Sequence, residues 1–414
     1  MLPFKFSYTW LIIPVIAYTA SYCIQSLKDY LNIFQGPSLD RGTLPVGYET
    51  TKEMILANGF GYQDYRVQTE DGYILRVHRI IGHQPGGLPV LFSHGLSTSS
   101  ESFLIRGRKT TLAFQLADAG FDVWLYDRRG NWYSREHVKY KPNTWDFWNF
   151  SFHESGYYDT PAVIDHTISL TNHSKIIFVG HSMGSTDYAV MASLRPEYND
   201  KVKLAIFLGP TWITPQIKEL SSPFARFIFN GFELFYQFAM RTSIYEILPK
   251  ENSVIETLEK CCKPSSKLQT ACLWSYRQLV GEDANSINET EFLEMATHWP
   301  SGASLKTYHH MNQIFKLGFV QYDYGEKENL IRYKNVTPPA YPLHKVTSPV
   351  AIYWGNTDPF LNERTIKEIE QQFPNIVENH RIEDTIFNHA DYVFARKSKH
   401  LLNNRIIKLI KSFQ

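Results

Sequence analysis

The junction at residues 175–194 restricts the fold more than any other feature of this chain. Lys175-Ile-Ile-Phe-Val179 is a compact apolar run, Gly180-His-Ser-Met-Gly184 follows it without a spacer, and 186–194 has helix-compatible composition. A strand that turns this sharply into a helix crowds its neighbours, so glycine flanks the turn and the central residue, Ser182, is strained and lifted to an exposed tip. Comparable apolar runs at 88–92, 121–125, 204–208 and 349–354 suit buried parallel strands. Helical apolar spacing at 110–119 and 158–171 lies between them, giving strand-helix alternation. Residues 65–77 alternate like a hairpin around Asp71-Gly72. After Pro210 the pattern is helical and Phe-rich for about a hundred residues with no strand signal. Strand character resumes at 349–354, and 405–413 closes the chain as a one-sided helix. The expected architecture is α/β: a mostly parallel central sheet flanked by helices, with an inserted helical cap or lid. Its core spans 45–210 and 311–414, and the cap 211–310.

A serine hydroxyl is a poor nucleophile near neutral pH and needs a base, which needs an orienting acid. In folds with a strand-serine-helix elbow the chain order is nucleophile, acid, base. Asp358 follows the late strand directly in Tyr353-Trp-Gly-Asn-Thr-Asp-Pro359, and His389 lies on a near-terminal loop in Phe387-Asn-His-Ala-Asp391. Ser182, Asp358 and His389 are therefore the candidate triad. Glu383, Asp384 and Asp391 compete for the acid, but only Asp358 follows a clear strand end, where a sheet presents groups to a site. His380, in an alternating stretch, and His400, in a basic helix start, compete for the base and read as structural. An oxyanion hole needs two backbone N–H groups aimed at developing negative charge. Met183, after the nucleophile, supplies one; Leu96, in Ser93-His-Gly-Leu-Ser97 after an earlier strand, supplies the other. His309-His310 has no partner at metal spacing and reads as a helix surface.

With 42 Lys+Arg against 41 Asp+Glu the net charge is +1, so nothing points to nucleic acid. The N-terminus has a basic start, a short apolar run broken by Pro14 and a small-residue exit, which reads as a cleaved secretory leader at 1–23, with an uncleaved anchor as the alternative. Cys261, Cys262 and Cys272 crowd one short stretch, where a disulfide closing a small loop fits an oxidising compartment. Asn149, Asn172, Asn288 and Asn335 head N-x-S/T sequons.

Taken together these segments resemble the acid lipase family, which includes gastric and lysosomal acid lipases and insect relatives. The resemblance rests on Tyr65-x-Val-x-Thr-x-Asp-Gly-Tyr-Ile-Leu75, Ser93-His-Gly-Leu96, Leu116-Ala-Asp-Ala-Gly-Phe-Asp-Val-Trp124, Arg129-Gly-Asn131, Phe147-Trp-x-Phe150, Tyr158-Asp-x-Pro-Ala162, Gly180 to Gly184 and Arg195-Pro-Glu-Tyr198. Pro300-x-Gly-x-Ser304 and Gln313 match more thinly within the cap. The resemblance implies an α/β-hydrolase fold and a neutral-lipid esterase without a cofactor. It also implies Ser182, Asp358 and His389 as triad, the Leu96 and Met183 amides as oxyanion donors, and a Cys262–Cys272 bond with Cys261 as the alternative partner. Two departures, Tyr126-Asp127 where the family has Gly-Asn and Pro359 where it has an aromatic or leucine, are expected at the rim of the site. The implied substrate is a triglyceride or cholesteryl ester; the Phe-rich stretch 222–238 suits cover of an acyl channel and transient contact with a lipid droplet or membrane surface, and the leader suits a secreted or lysosomal setting. A non-catalytic lipid-binding relative on the same fold is the competing reading; loss of a triad member would mark it, and none is lost.

Overall fold

The computed structural model describes residues 48–414 apart from 85, 214, 216, 221, 282–286, 288, 384 and 385. The expected leader, Cys23, the rival acid Asp384 and the sequon at Asn288 lie outside the described residues. The hairpin expected around Asp71-Gly72 is present as β1 (Gly61–Gln68) and β2 (Tyr73–Ile81), paired antiparallel. β3 (Pro89–Ser93), β4 (Asp122–Asp127), the two-residue β5 (Glu136–His137), β6 (Ile176–His181) and β7 (Val202–Leu208) follow. After the insertion, which holds the short pair β8 (Glu246–Ile247) and β9 (Ala303–Ser304), come β10 (Val350–Trp354) and β11 (Ile376–Arg381). The main sheet runs β1-β2-β4-β3-β6-β7-β10-β11, with β5 added against β2, and every pair from β4 to β11 is parallel.

Helices cover both faces of the sheet, so β3, β4, β6 and β10 are buried along their whole length, which is why their sequences are continuous apolar runs. Alternate residues feed two cores: Val90, Phe92, Ile177 and Val179 enter one, Leu91, Trp124, Phe178 and Ile352 the other. Each such side chain contributes about 1.5–3 kcal/mol on burial.

Between β7 and β10 the chain is mainly helical, with helices Pro223–Arg241, Asn252–Cys262, Gln269–Val280, Glu289–His298, Leu305–Leu317 and Glu326–Tyr333. Cys262 and Cys272 are bonded, tying the second of these helices to the third. Helix Leu305–Leu317 runs through the expected 310/311 boundary: Leu305 packs with the insertion, while Met311 and Ile314 join the sheet's core. The expectation of a surface for His309-His310 is overturned. Both rings are buried; His310 bonds Ser151 Oγ and the Val320 carbonyl, and His309 bonds Tyr322 Oη and Glu233. Helical spacing carried no hint of these partners, which arrive from other elements.

The insertion is fastened to the sheet through a buried carboxylate. Glu101, in the 3-10 turn Ser100–Phe103 after β3, accepts from Lys250 Nζ (2.6 Å) and His298 Nδ1 (3.0 Å), both from the insertion, and from the hydroxyls of Tyr48 and Tyr133. Glu101 and Lys250 are both buried.

Other buried carboxylates make stability depend on pH in both directions. Burial pushes Asp187 from 3.8 up to about 7 and Glu246 from 4.5 up to about 7, against the pull of Arg128 and Arg135. Their stabilising contribution is complete below the ordinary carboxylate range and is lost as pH rises through about 7. Glu101 and Glu154 are displaced the other way: burial opposes the shift, but Lys250 with His298, and Lys306, hold them low. Their contribution is lost only as pH falls well below 4, roughly the unfolded carboxylate value. Asp187→Asn removes one of the raised carboxylates, so its unfolding midpoint measured against the wild type is expected to climb between pH 5 and pH 7.5. Paired thermal melts of the two proteins across that range check the trend, and a constant difference would contradict it.

Candidate active site

The site forms at the carboxyl ends of β3, β6, β7 and β10. Ser182 is held between β6 and helix Met183–Leu194 at φ 53°, ψ −122°, a conformation costing about 1–3 kcal/mol that the surrounding backbone imposes. Its amide donates to the Leu208 carbonyl at the end of β7 (2.9 Å). The flanking glycines are needed for space: a Cβ on Gly180 would stand 2.6 Å from Ser185 N, and one on Gly184 2.2 Å from the Ser93 carbonyl oxygen. Both obstacles are backbone and cannot move aside.

The three triad candidates meet. Ser182 Oγ lies 2.8 Å from His389 Nε2, and His389 Nδ1 lies 2.8 Å from Asp358 Oδ2. A carboxylate acceptor fixes the proton on Nδ1, so Nε2 is left to accept from the serine hydroxyl, as a general base requires. The rivals do not reach this chain of bonds. Asp391 is buried but accepts from the Asn388 amide and pairs with Lys397; Glu383 and His400 are exposed, and His380 sits in β11 against Tyr353.

Two residues missed at the sequence level complete the acid's surroundings. Tyr392, in the short helix Asp391–Phe394, donates its hydroxyl to Asp358 Oδ2 (3.2 Å) and accepts from the Gly355 amide (2.8 Å). Phe360 donates its amide to Asp358 Oδ1 (3.0 Å) and sets its ring edge-on to His389, 4.7 Å between centroids. The position of Tyr392 three residues after His389 was the only available signal, and it is ambiguous without the turn geometry. Tyr392→Phe removes one of the donors that orient Asp358 and is expected to lower kcat/KM on a soluble ester by less than tenfold, whereas an unchanged rate would mean that the hydroxyl only packs.

The neighbouring histidines are neutral. Burial takes His181 down to about 3, and its Nε2–H donates to the His389 carbonyl (3.0 Å), steadying the base without adding charge beside it. Burial also takes His94 down to about 3; its Nδ1–H donates to the Gly95 carbonyl (2.8 Å) and its Nε2 accepts from the Arg128 amide (3.3 Å).

The two residues expected to donate to an oxyanion, Met183 and Leu96, belong to segments that adjoin Ser182. Met183 is the first residue of its helix, so its N–H has no acceptor inside the helix. A Cβ on Gly95 would be 3.4 Å from Ser182 Cβ, so the Gly95-Leu96 backbone runs alongside the serine. Arg128 braces this loop by donating to the His94 and Gly95 carbonyls while pairing with Asp187 (3.2 Å) on the nucleophile's helix. The insertion braces its far side: Ser301 N donates to the Ser97 carbonyl (2.8 Å), and Tyr308 Oη bonds Ser97 Oγ (2.8 Å).

The two departures do not both lie at a rim. Tyr126 and Asp127 are fully buried; Tyr126 Oη bonds Ser93 and Thr160, while Asp127 accepts from His78, Ser100 N and Ser100 Oγ. They end β4 inside the protein, where each polar atom has found a partner. Pro359 is half-buried beside Gly281 and leaves Asp358 within reach of His389.

Residues 89–388 match the alpha/beta hydrolase fold family, and 51–107 match a partial alpha/beta-hydrolase lipase region. Lipase 1 of Drosophila melanogaster is 33% identical, the match covering 86% of this chain and 79% of the relative. The gastric triacylglycerol lipases of Rattus norvegicus and Homo sapiens are 32% and 31% identical, each match covering 86% of this chain and 90% of the relative. Among solved structures, a putative lipase from Sulfolobus solfataricus superposes with a TM-score of 0.57 at 14% identity, covering 91% of this chain and 98% of that one, a likeness of fold alone. With its sheet, elbow and sequence matches in agreement, the chain belongs to the α/β-hydrolase family, within its gastric and acid-type lipases, and is a carboxylic ester hydrolase.

Proposed function

We propose that the chain hydrolyses neutral-lipid esters, triglyceride or cholesteryl ester, through an acyl-enzyme on Ser182. The observation that carries this reading is the unbroken Ser182–His389–Asp358 chain of hydrogen bonds at the elbow. Ser182 Oγ attacks the ester carbonyl as His389 Nε2 takes its proton, and the Leu96 and Met183 amides receive the developing oxyanion. The C–O bond to the alcohol then breaks, with His389 returning the proton to the leaving oxygen. Water, deprotonated by the same nitrogen, releases the fatty acid and restores the serine.

Residues 211–310 act as the lid. Ser182 is only 7% exposed and the insertion reaches the site, where the Val280 carbonyl accepts from the His389 amide (2.9 Å), so in this reading the element shifts to admit substrate. Helix Pro223–Arg241 buries Phe232 and Ala239 beneath it, yet leaves Phe227, Leu234 and Phe238 exposed at spacings that share one helical face. An outward apolar stripe on a cover element suits contact with a lipid surface. Among the described residues no helix is long and apolar enough to cross a membrane. The gastric lipase relatives and the leader pattern support passage through the secretory pathway to a secreted or lysosomal destination.

Assays on emulsified long-chain triglyceride and on a soluble short-chain ester test this function. Emulsion activity should exceed soluble-ester activity, and equal or lower emulsion activity would remove the lipase reading. Replacing Phe227, Leu234 and Phe238 together by serine is expected to lower emulsion activity at least tenfold with the soluble-ester rate within twofold. Equal losses on both substrates would show that the stripe does not engage lipid.

A further inference from the structure

A cleft of about 680 Å³ opens away from the triad, between the second half of helix Pro223–Arg241, helix Leu305–Leu317 and the loop at 322–325. Its size falls within the roughly 300–1,000 Å³ typical of small-molecule sites. Its lining differs from that of an acyl channel. Flat aromatic faces, among them Trp145, Tyr324 and Tyr236 stacked on His309 at 3.8 Å, alternate with Asn312, Gln313 and charges of both signs. Lys306, Lys316 and Arg332 are balanced by Glu233, Asp323 and Glu328, so neither an anion nor a cation is selected. A lipid tail would strand these polar groups. A sugar suits them, because its C–H faces cover aromatic rings while its hydroxyl and amide groups bond at the edges.

Asn149 stands in the wall of this cleft and heads the sequon Asn149-Phe-Ser151. Its side chain is exposed and its Oδ1 accepts from Lys306 Nζ (2.9 Å). Among the described residues Nδ2, the atom a glycan is joined to, has no hydrogen-bond partner, and its orientation is fixed by the Lys306 bond. Asn312 and Gln313 line the same cleft and add amide groups to its polar edge. The other described sequons, Asn172 and Asn335, are exposed and not part of this lining.

We infer that Asn149 carries an N-linked glycan whose first N-acetylglucosamine residues lie in this cleft, stacked on its aromatic wall and bridging the helix Pro223–Arg241 to helix Leu305–Leu317. The inference rests on the secretory reading above, since that pathway attaches such glycans.

The test uses the full chain secreted from a eukaryotic host. Glycopeptide mass spectrometry reads occupancy at each sequon, and a peptide-N-glycanase time course compares release from folded and unfolded protein. Asn149 should be occupied, and its glycan should leave the folded protein at least tenfold more slowly than the unfolded one. Tyr236→Ala, with its fold verified by soluble-ester activity, should largely abolish that protection. An unmodified Asn149 beside an occupied Asn172 or Asn335 overturns the inference alone. Equal release from folded and unfolded chains overturns the docking, empty sequons on secreted chain overturn the inference alone, and failure of the full chain to be exported overturns the secretory reading with it.

Discussion

Ser182→Ala is expected to lower kcat/KM for any ester substrate by about 10⁴-fold or more, with the unfolding midpoint nearly unchanged. The size follows from how a triad works: the residues act as a unit, so removing the nucleophile forfeits the contribution of all three and leaves only binding and the oxyanion donors. The stability expectation follows from the backbone. Ser182 is strained at φ 53° by the elbow, and alanine meets the same strain in the same place. The hydroxyl's partner is His389, which keeps its bond to Asp358. Rates on a soluble ester together with a thermal melt check both halves. A residual rate within a hundredfold of wild type would require another nucleophile.

Lys250→Ala should give the largest single loss of stability. It removes the buried cation nearest Glu101 and leaves a carboxylate that is 0% exposed with one ionic partner fewer, a change that typically costs about 3–5 kcal/mol. The hydroxyls of Tyr48 and Tyr133 and the His298 ring remain, but they cannot replace the charge. Because Glu101 lies a few residues beyond the Gly95-Leu96 segment, esterase activity should fall with stability. Lys250→Met with Glu101→Gln is expected to recover much of the stability, since the unpaired charge is then gone. Urea titrations of the single and double variants measure the difference. Additive losses would show that the pair is not coupled.

What was legible in the sequence was what burial forces into a local pattern. β3, β4, β6, β7 and β10 are covered on both faces, so each reads as an apolar run, and the reactive groups sit at or just beyond strand ends where such runs stop. Ser182 and Asp358 are identifiable for that reason and His389 by its near-terminal loop and the chain order, although nothing in the spacing of 182, 358 and 389 gives a distance. The Cys262–Cys272 bond was indicated by resemblance, since three cysteines in one stretch leave several pairings open. Illegible features depend on partners distant in the chain. Asp127 and Tyr126 look like rim polar residues until His78, Ser100 and Thr160 are brought around them. His309 and His310 look like a polar helix face until Glu233, Tyr322 and Ser151 arrive from elsewhere. The short strands β5, β8 and β9 have two residues each and no period to detect.

In the proposed reaction one serine, Ser182, carries the acyl group of a lipid ester. A phosphonate ester bearing a long alkyl chain tests it directly, because phosphorus bonds irreversibly to the nucleophile while the chain demands the lipid site. Labelling is followed by peptide mass spectrometry and, in the same samples, by hydrolysis of emulsified triglyceride. One adduct is expected, on the peptide containing Ser182, with loss of triglyceride hydrolysis in proportion to labelling. Full labelling of Ser182 with undiminished triglyceride hydrolysis, or inactivation with the adduct on another residue, would contradict it.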